Sequence, residues 1–203
     1  MKINKVLVAN RGEIAIRIFR ACVELNLKTV GIYTYEDRYS QHRYKADEAY
    51  QIGNDNDPLK PYLNGEEIIQ LALKKGVDAI HPGYGFLSEN AKFAEILEAH
   101  GIVFIGPTSD HINIMGDKIT AKTTAEDLGI PVVPGSSGEV KTEADAKKIA
   151  NDIGYPVIIK ATAGGGGRGM KVANDDSELA IALSTARTEA GAAFGNEAVY
   201  IEK

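Results

Sequence analysis

The chain has 203 residues, of which 44% are hydrophobic, and it carries a formal net charge of −5. This composition allows a sizeable core, while the negative charge and the lack of a basic block argue against a nucleic-acid-binding surface. The single cysteine, Cys22, excludes a disulfide within the chain, and its place on an apolar helical stripe favours packing in the core. The N-terminal apolar run is shorter than a signal-peptide core, and no segment approaches membrane-spanning length, so we expect no membrane partner and a cytoplasmic or organelle-matrix location.

Strands and helices are predicted to alternate over the first 105 residues. Strands are predicted at 5–9, 29–34, 77–80 and 103–105, and helices at 14–25, 66–75 and 91–100. This alternation indicates a parallel sheet covered by helices, in which ligands bind at the carboxyl ends of the strands. We therefore expect the turns at 10–13, 81–85 and 106–107 to share one edge of the sheet, and we interpret the first of them as scaffold.

The pattern changes after residue 107. A helical stretch is predicted from Met115 to Leu128, followed by an extended connector at 131–135. Thr142, with Asp145 three residues later, predicts a capped helix that ends near residue 153, and Ser177 predicts the cap of a second helix that ends near residue 193. Strands at 157–160, 170–173 and 198–202 complete a small α+β unit.

A glycine-rich segment joins the strand that ends at Lys160 to the next strand. Glycine lets backbone N–H groups approach an anion closely, and Arg168 adds a forked donor suited to phosphate oxygens. The segment lacks the Gly-Lys-Ser/Thr ending of a P-loop and opens no helix, so a Walker-type site is not indicated. We interpret it as a cover over nucleotide phosphates; an exposed hairpin tip is the alternative.

Five motifs resemble those of the biotin carboxylases. They are V-A-N-R-G-E-I-A at 8–15, H-P-G-Y-G-F-L-S-E-N at 81–90, F-I-G-P at 104–107, M-G-D-K at 115–118 and G-G-G-G-R-G-M at 164–170. The resemblance spans essentially the whole chain. Segments 42–50, 193–196 and 200–203 are most similar to the biotin carboxylase domain of the pyruvate carboxylases, whereas the biotin carboxylase subunit of acetyl-CoA carboxylase shares the nucleotide motifs.

This resemblance implies an α/β fold in two parts. A parallel-sheet, Rossmann-like pre-ATP-grasp domain at 1–115 would be followed by a linker and helix at 116–134 and by the small α+β lid subdomain of an ATP-grasp fold at 135–203. It also implies the chemistry of the full-length enzyme, in which ATP activates bicarbonate as carboxyphosphate and the released CO2 carboxylates biotin on a carrier domain. A homo-oligomer is expected for the full-length protein.

The resemblance also implies roles for particular residues. Two lysines would contact the phosphates of ATP, the glycine segment would close over them, and a glutamate would lie beside the adenine amino group: Lys118, Lys160, Gly164, Gly165, Gly166, Gly167, Arg168, Gly169 and Glu202. Tyr84 and Gly85 would border the biotin pocket. The Mg2+ carboxylates, the bicarbonate-binding arginine and the catalytic base are expected beyond Lys203, so the isolated chain is expected to be inactive.

Other functions remain open at this stage. A different ATP-grasp ligase would share the glycine segment but would not respond to biotin. A folding or assembly module would form a stable dimer without any response to nucleotide. A Rossmann dehydrogenase is disfavoured, because the turn at 10–13 lacks the glycines that let a pyrophosphate approach the backbone.

Overall fold

The computed structural model describes residues 2–54, 56–162 and 170–203. The chain divides into two compact units, Met1–Gly116 (unit 1) and Asp117–Lys203 (unit 2). In the described part of the chain, every helix is too short or too polar to cross a membrane.

Unit 1 is built on a parallel sheet of five strands in the order β3-β2-β1-β4-β5. The strands are β1 (Lys5–Val8), β2 (Lys28–Tyr33), β3 (Glu48–Gln51), β4 (Ala79–His81) and β5 (Val103–Phe104). The helices are α1 (Gly12–Glu24), α2 (Gly65–Lys74), α3 (Ala91–Ala99) and α4 (Ser109–Gly116), and short 3-10 turns lie at Glu36–Tyr39, Gln41–Lys45 and Lys60–Leu63. Because all five strands run in one direction, their carboxyl ends lie at one edge.

The two faces of this sheet are buried separately. Val6 and Val8 belong to a cluster with the apolar stripe of α1, whereas Leu7 points into a larger cluster with α2 and α3. The continuous apolar run of β1 is therefore typical of a central parallel strand covered on both faces. Cys22 lies in the first cluster and is buried, which confirms its predicted packing role, and burial raises the pKa of its thiol.

Unit 2 contains an antiparallel sheet in the order β7-β6-β8. Its elements are α5 (Lys118–Asp127), α6 (Glu143–Ile153), β6 (Val157–Ala161), β7 (Lys171–Ala173), α7 (Asp176–Phe194) and β8 (Val199–Glu202). The chain before α6 runs along the free edge of β8, where the Ser136 and Val140 amides each donate to a β8 carbonyl at 2.8 Å. One face of the sheet is buried against α6 and α7.

The predicted α/β fold class, with a parallel sheet followed by a small α+β unit, is confirmed by these two sheets. Among the strands and α-helices of the described residues, two were not predicted, namely β3 and α4. β3 is a half-buried edge strand of mostly polar sequence, so it lacks an apolar run. The helix predicted to start at Met115 begins instead at Lys118, because Asp117 caps it by accepting from the Thr120 amide at 2.8 Å.

One predicted helix cap is correct and the other is wrong. The Thr142 hydroxyl accepts from the Asp145 amide at 3.1 Å at the start of α6, as predicted. At α7 the cap is Asp175, whose carboxylate accepts from the amides of Ser177 and Glu178, so Ser177 is already inside the helix. Asp and Ser are both strong caps, and the sequence pattern alone does not choose between neighbouring candidates.

Candidate functional site

The carboxyl-terminal edge of the unit 1 sheet carries a cavity of about 320 Å³. β1 and β4 are adjacent, so the turns that follow them face each other, as predicted. The cavity is lined by residues from both turns: Asn10, Arg11, Gly12, Glu13, Ile14, Tyr84, Gly85 and Phe86. The turn at 106–107 follows β5, the neighbour of β4, and so lies at the same edge of the sheet.

Tyr84 and Gly85, the two predicted biotin-pocket residues, both line this cavity. The Tyr84 side chain is exposed, and its hydroxyl donates to a carboxylate oxygen of Glu13 on α1. This hydrogen bond raises the pKa of Tyr84, so the phenol stays neutral at physiological pH. The aromatic ring is therefore available at the cavity mouth, with its polar tip tied back to the scaffold.

A buried carboxylate lies behind the cavity wall. Asp37 accepts from Arg11 Nη2 at 2.5 Å, from the Tyr62 hydroxyl at 2.7 Å and from the Ser40 hydroxyl at 2.8 Å. Burial disfavours the charged form of Asp37, but these hydrogen bonds outweigh it and hold the pKa of Asp37 well below its usual range. Sequence reasoning did not find this network, because Arg11, Asp37 and Tyr62 are far apart in the chain.

Unit 2 presents a second candidate surface on the open face of its sheet. Successive strand residues point to opposite faces, so Lys160 on β6 and Glu202 on β8 both lie on the face away from α6 and α7. Lys160 Nζ donates to Glu202 Oε2 at 2.6 Å, and this contact raises the pKa of Lys160. Two predicted ATP ligands are thus in direct contact.

The same face carries apolar side chains that sequence reasoning missed. Ile158 pairs with Val172 on one side and with Glu202 on the other, and Tyr200 pairs with Lys160. Val172 is 58% exposed, so the face offers an uncovered apolar strip beside the charged pair. The alternation of side chains along a strand could have revealed this grouping. Such a strip, next to a carboxylate and an amine, can accept a flat heteroaromatic ring with a polar edge.

Lys118, the other lysine predicted to contact the phosphates, is the first residue of α5 and lines a small cavity of about 30 Å³. Tyr200 lines the same cavity, so Lys118 and the open face of the sheet belong to one region of unit 2. Lys122 is one helical turn further along α5, and its buried Nζ has no hydrogen-bond partner within the described part of the chain.

The predicted glycine cover lies outside the described residues. This applies to Gly164, Gly165, Gly166, Gly167, Arg168 and Gly169, whose roles stay predictions, although the antiparallel pairing of β6 with β7 places the two flanking strands side by side. Within residues 2–54, 56–162 and 170–203, no group of three or more His, Cys, Asp or Glu side chains is arranged to hold a metal ion.

Comparison with known families identifies both units. Residues 2–112 match the family described as biotin carboxylase, N-terminal domain, and residues 117–203 match the ATP-binding domain of the carbamoyl-phosphate synthase L chain. The chain belongs to the biotin carboxylase family. Comparison with three relatives of this biotin carboxylase segment shows what share of their length it covers.

The pyruvate carboxylase of Bacillus subtilis is 57% identical over 99% of the chain, which covers 18% of that protein. The biotin carboxylase of Nostoc is 56% identical over the whole chain, which covers 45% of that protein. The biotin carboxylase domain dimer of Hydrogenobacter thermophilus 2-oxoglutarate carboxylase, solved with MgADP, ADP and bicarbonate, is 50% identical with a TM-score of 0.86; the match covers 100% of this chain and 44% of that one. The chain therefore spans less than half the length of each of these relatives.

Proposed function

We propose that this sequence forms the N-terminal part of the biotin carboxylase component of a biotin-dependent carboxylase, in the first instance a pyruvate carboxylase. In the full-length protein the reaction is ATP-dependent carboxylation of carrier-bound biotin with bicarbonate. The identity to pyruvate carboxylase and to biotin carboxylase relatives, and the likeness to a domain solved with MgADP and bicarbonate, support this proposal.

The observation that carries the proposal is the open face of the unit 2 sheet. Glu202 offers a carboxylate that can accept from the amino group of adenine, and Ile158 and Val172 offer apolar contact to the ring. Lys160 and Lys118 supply cations for the phosphates, which concentrate the negative charge of the nucleotide. Lys160 must turn from Glu202 toward the phosphates when the nucleotide binds, because its amine is held by that carboxylate at 2.6 Å.

Mg2+ supplies most of the charge neutralisation in phosphoryl transfer when it is bound. The described residues do not fit such a site, since they contain no cluster of carboxylates able to hold the ion. We therefore assign no step of the reaction to a metal held by this segment, and the Mg2+ ligands, the bicarbonate-binding arginine and the catalytic base stay predicted beyond Lys203.

In unit 1, we assign the cavity beside Tyr84 and Gly85 to biotin. Tyr84 presents a neutral phenol ring, and Gly85 has no side chain to obstruct a bicyclic ligand. Unit 1 would correspond to the pre-ATP-grasp domain, and unit 2 to the connecting helix with the ATP-grasp lid subdomain. A carrier domain for biotin and a homo-oligomeric full-length enzyme complete the proposal; a cytoplasmic location stays a prediction from the sequence.

The test is an assay of the full-length protein for bicarbonate-dependent ATP cleavage and for carboxybiotin. Free biotin should stimulate ATP cleavage. Lys160→Ala should abolish ATP cleavage, whereas Lys148→Ala, at an exposed position on α6, should match the wild type. A rate of ATP cleavage that does not change when biotin is added would refute the proposal and would favour another ATP-grasp ligase. Because the Nostoc biotin carboxylase is almost as similar as the pyruvate carboxylase, the acceptor is tested separately by supplying pyruvate or acetyl-CoA.

A further inference from the structure

The carboxamide of Asn10 occupies the space between the two turns at the edge of the unit 1 sheet. Asn10 is 3% exposed, and its Nδ2 donates to the carbonyls of Pro82 at 2.7 Å and Tyr84 at 2.8 Å. Its Oδ1 accepts from the Arg11 amide at 2.9 Å. Both amide protons and the oxygen are therefore used, and only one orientation of the side chain satisfies all three bonds.

The residue between the two bonded carbonyls, Gly83, leaves the space that the Asn10 carboxamide occupies. Gly83 has a φ of +67°, and a Cβ built there would lie 2.6 Å from Asn10 Nδ2. Any other residue at position 83 would displace the carboxamide and would adopt a left-handed backbone that L side chains rarely adopt. The Gly83 amide also donates to His81 Nδ1 at 3.0 Å, which requires the neutral tautomer with the proton on Nε2.

The turn also contains two consecutive residues with positive φ angles. Gly85 has a φ of +64° and Phe86 a φ of +41°, and the latter is unusual for a residue with a bulky side chain. Phe86 stacks on the buried Tyr62 with ring centroids 5.2 Å apart, and Tyr84 is tied to Glu13. Backbone amides hold the carbonyls of His81 and Gly85, whereas among the described side chains Asn10 is the one that bonds the carbonyls of Pro82 and Tyr84.

We propose that Asn10 is a positioning residue for the biotin pocket, which holds the Tyr84 and Gly85 turn in the conformation that receives biotin. The inference rests on the proposed function. It assigns a role to a turn whose sequence alone indicates scaffold, and it separates biotin recognition from nucleotide binding, since Asn10, Tyr84 and Gly85 all belong to unit 1.

The decisive variant is Asn10→Asp in the full-length protein. It keeps the shape but replaces the donating amide by a carboxylate oxygen that faces two carbonyl oxygens. With both hydrogen bonds lost, we expect the KM for free biotin to rise about tenfold or more, while the KM for ATP stays within about twofold. Asn113→Asp, at an exposed position on α4, is the control and should leave both constants unchanged.

Hydrogen–deuterium exchange supplies a second, activity-independent measurement. Peptides covering 82–90 should exchange faster in the variant, while β6 and β8 should be unchanged. If Asn10→Asp does not fold, Asn10→Ala, which removes the same bonds without adding charge, replaces it with the same expectations.

Three results would overturn the inference: an unchanged KM for biotin, unchanged exchange at 82–90, or a proportional loss of ATP and biotin binding, which would mean a purely structural role. If the wild type does not carboxylate biotin, the proposed function fails, whereas the exchange data still decide whether Asn10 holds the turn.

Discussion

The buried carboxylate network of unit 1 gives the sharpest stability prediction. Asp37 accepts hydrogen bonds from both Nε and Nη2 of Arg11, from Tyr62 and from Ser40. Asp37→Asn preserves the shape of the side chain but removes the charge and replaces one acceptor oxygen by a donor group. Two of the present donors would then face an NH2 group.

The size of the effect follows from burial. Hydrogen bonds to a charged group contribute roughly 1.5–3 kcal/mol each, and breaking a fully buried ion pair costs about 3–5 kcal/mol. The Asp37 side chain is 5% exposed, but the Arg11 side chain is 42% exposed, so water can partly replace the lost contact on the arginine. We therefore expect Asp37→Asn to destabilise unit 1 by about 2–4 kcal/mol at neutral pH.

Native-state hydrogen exchange of β1 and β2 measures this loss, with β6 and β8 of unit 2 as internal reference. Glu95→Gln is the control, because its ion pair with Lys92 is exposed on both sides and should contribute less than about 1 kcal/mol. Because the folded state lowers the pKa of Asp37, its contribution is complete above about pH 4 and is lost as the pH falls further. A loss below about 1 kcal/mol at neutral pH would refute the reasoning.

Two further predictions concern the pH dependence of unit 1 and the close contact of Gly135 with β8 in unit 2. Burial lowers the pKa of His42 and of His81, so as the pH falls these side chains are protonated in the unfolded chain before they are protonated in the folded one. Unit 1 should therefore lose stability as the pH falls below about 6.5. Equal free energies of hydrogen exchange for β2 at pH 7 and at pH 5.5 would contradict this. Gly135→Ala should destabilise unit 2 by more than about 2 kcal/mol in urea unfolding, because its Cβ would lie 2.3 Å from the Ile201 carbonyl oxygen. Gly138→Ala should leave the stability nearly unchanged, because a Cβ at this position would meet no atom within 4 Å. Equal losses of stability in the two variants would argue against the steric cause.

The fold could be predicted where the apolar pattern is strong and local. The central strand β1 and the amphipathic α1 follow directly from their periodicities, and the parallel sheet follows from alternation of strands and helices. β3 could not be predicted, since its half-buried side chains depend on the neighbouring β2 rather than on its own sequence. The boundary between α4 and α5 depends on a single cap, Asp117, inside a continuous helical pattern.

The site could be predicted only in part. The contact of Lys160 with Glu202 follows from strand alternation once the pairing of β6 with β8 is known, but pairing is a tertiary property. The contacts of Asn10 with the turn after β4 depend on which strands are adjacent, which the sequence does not state. A polar residue whose partners come from distant segments gives no local signal of its role.

The proposal that the open face of unit 2 binds the nucleotide is tested most directly by calorimetry. The full-length protein should be titrated with a magnesium complex of a non-hydrolysable ATP analogue, beside Lys160→Ala, Lys118→Ala and the exposed control Lys148→Ala. We predict saturable binding by the wild type and by the control. Binding should be lost or strongly weakened in Lys160→Ala and in Lys118→Ala. Equal affinity in all four proteins would show that the nucleotide binds elsewhere and would contradict the proposed site.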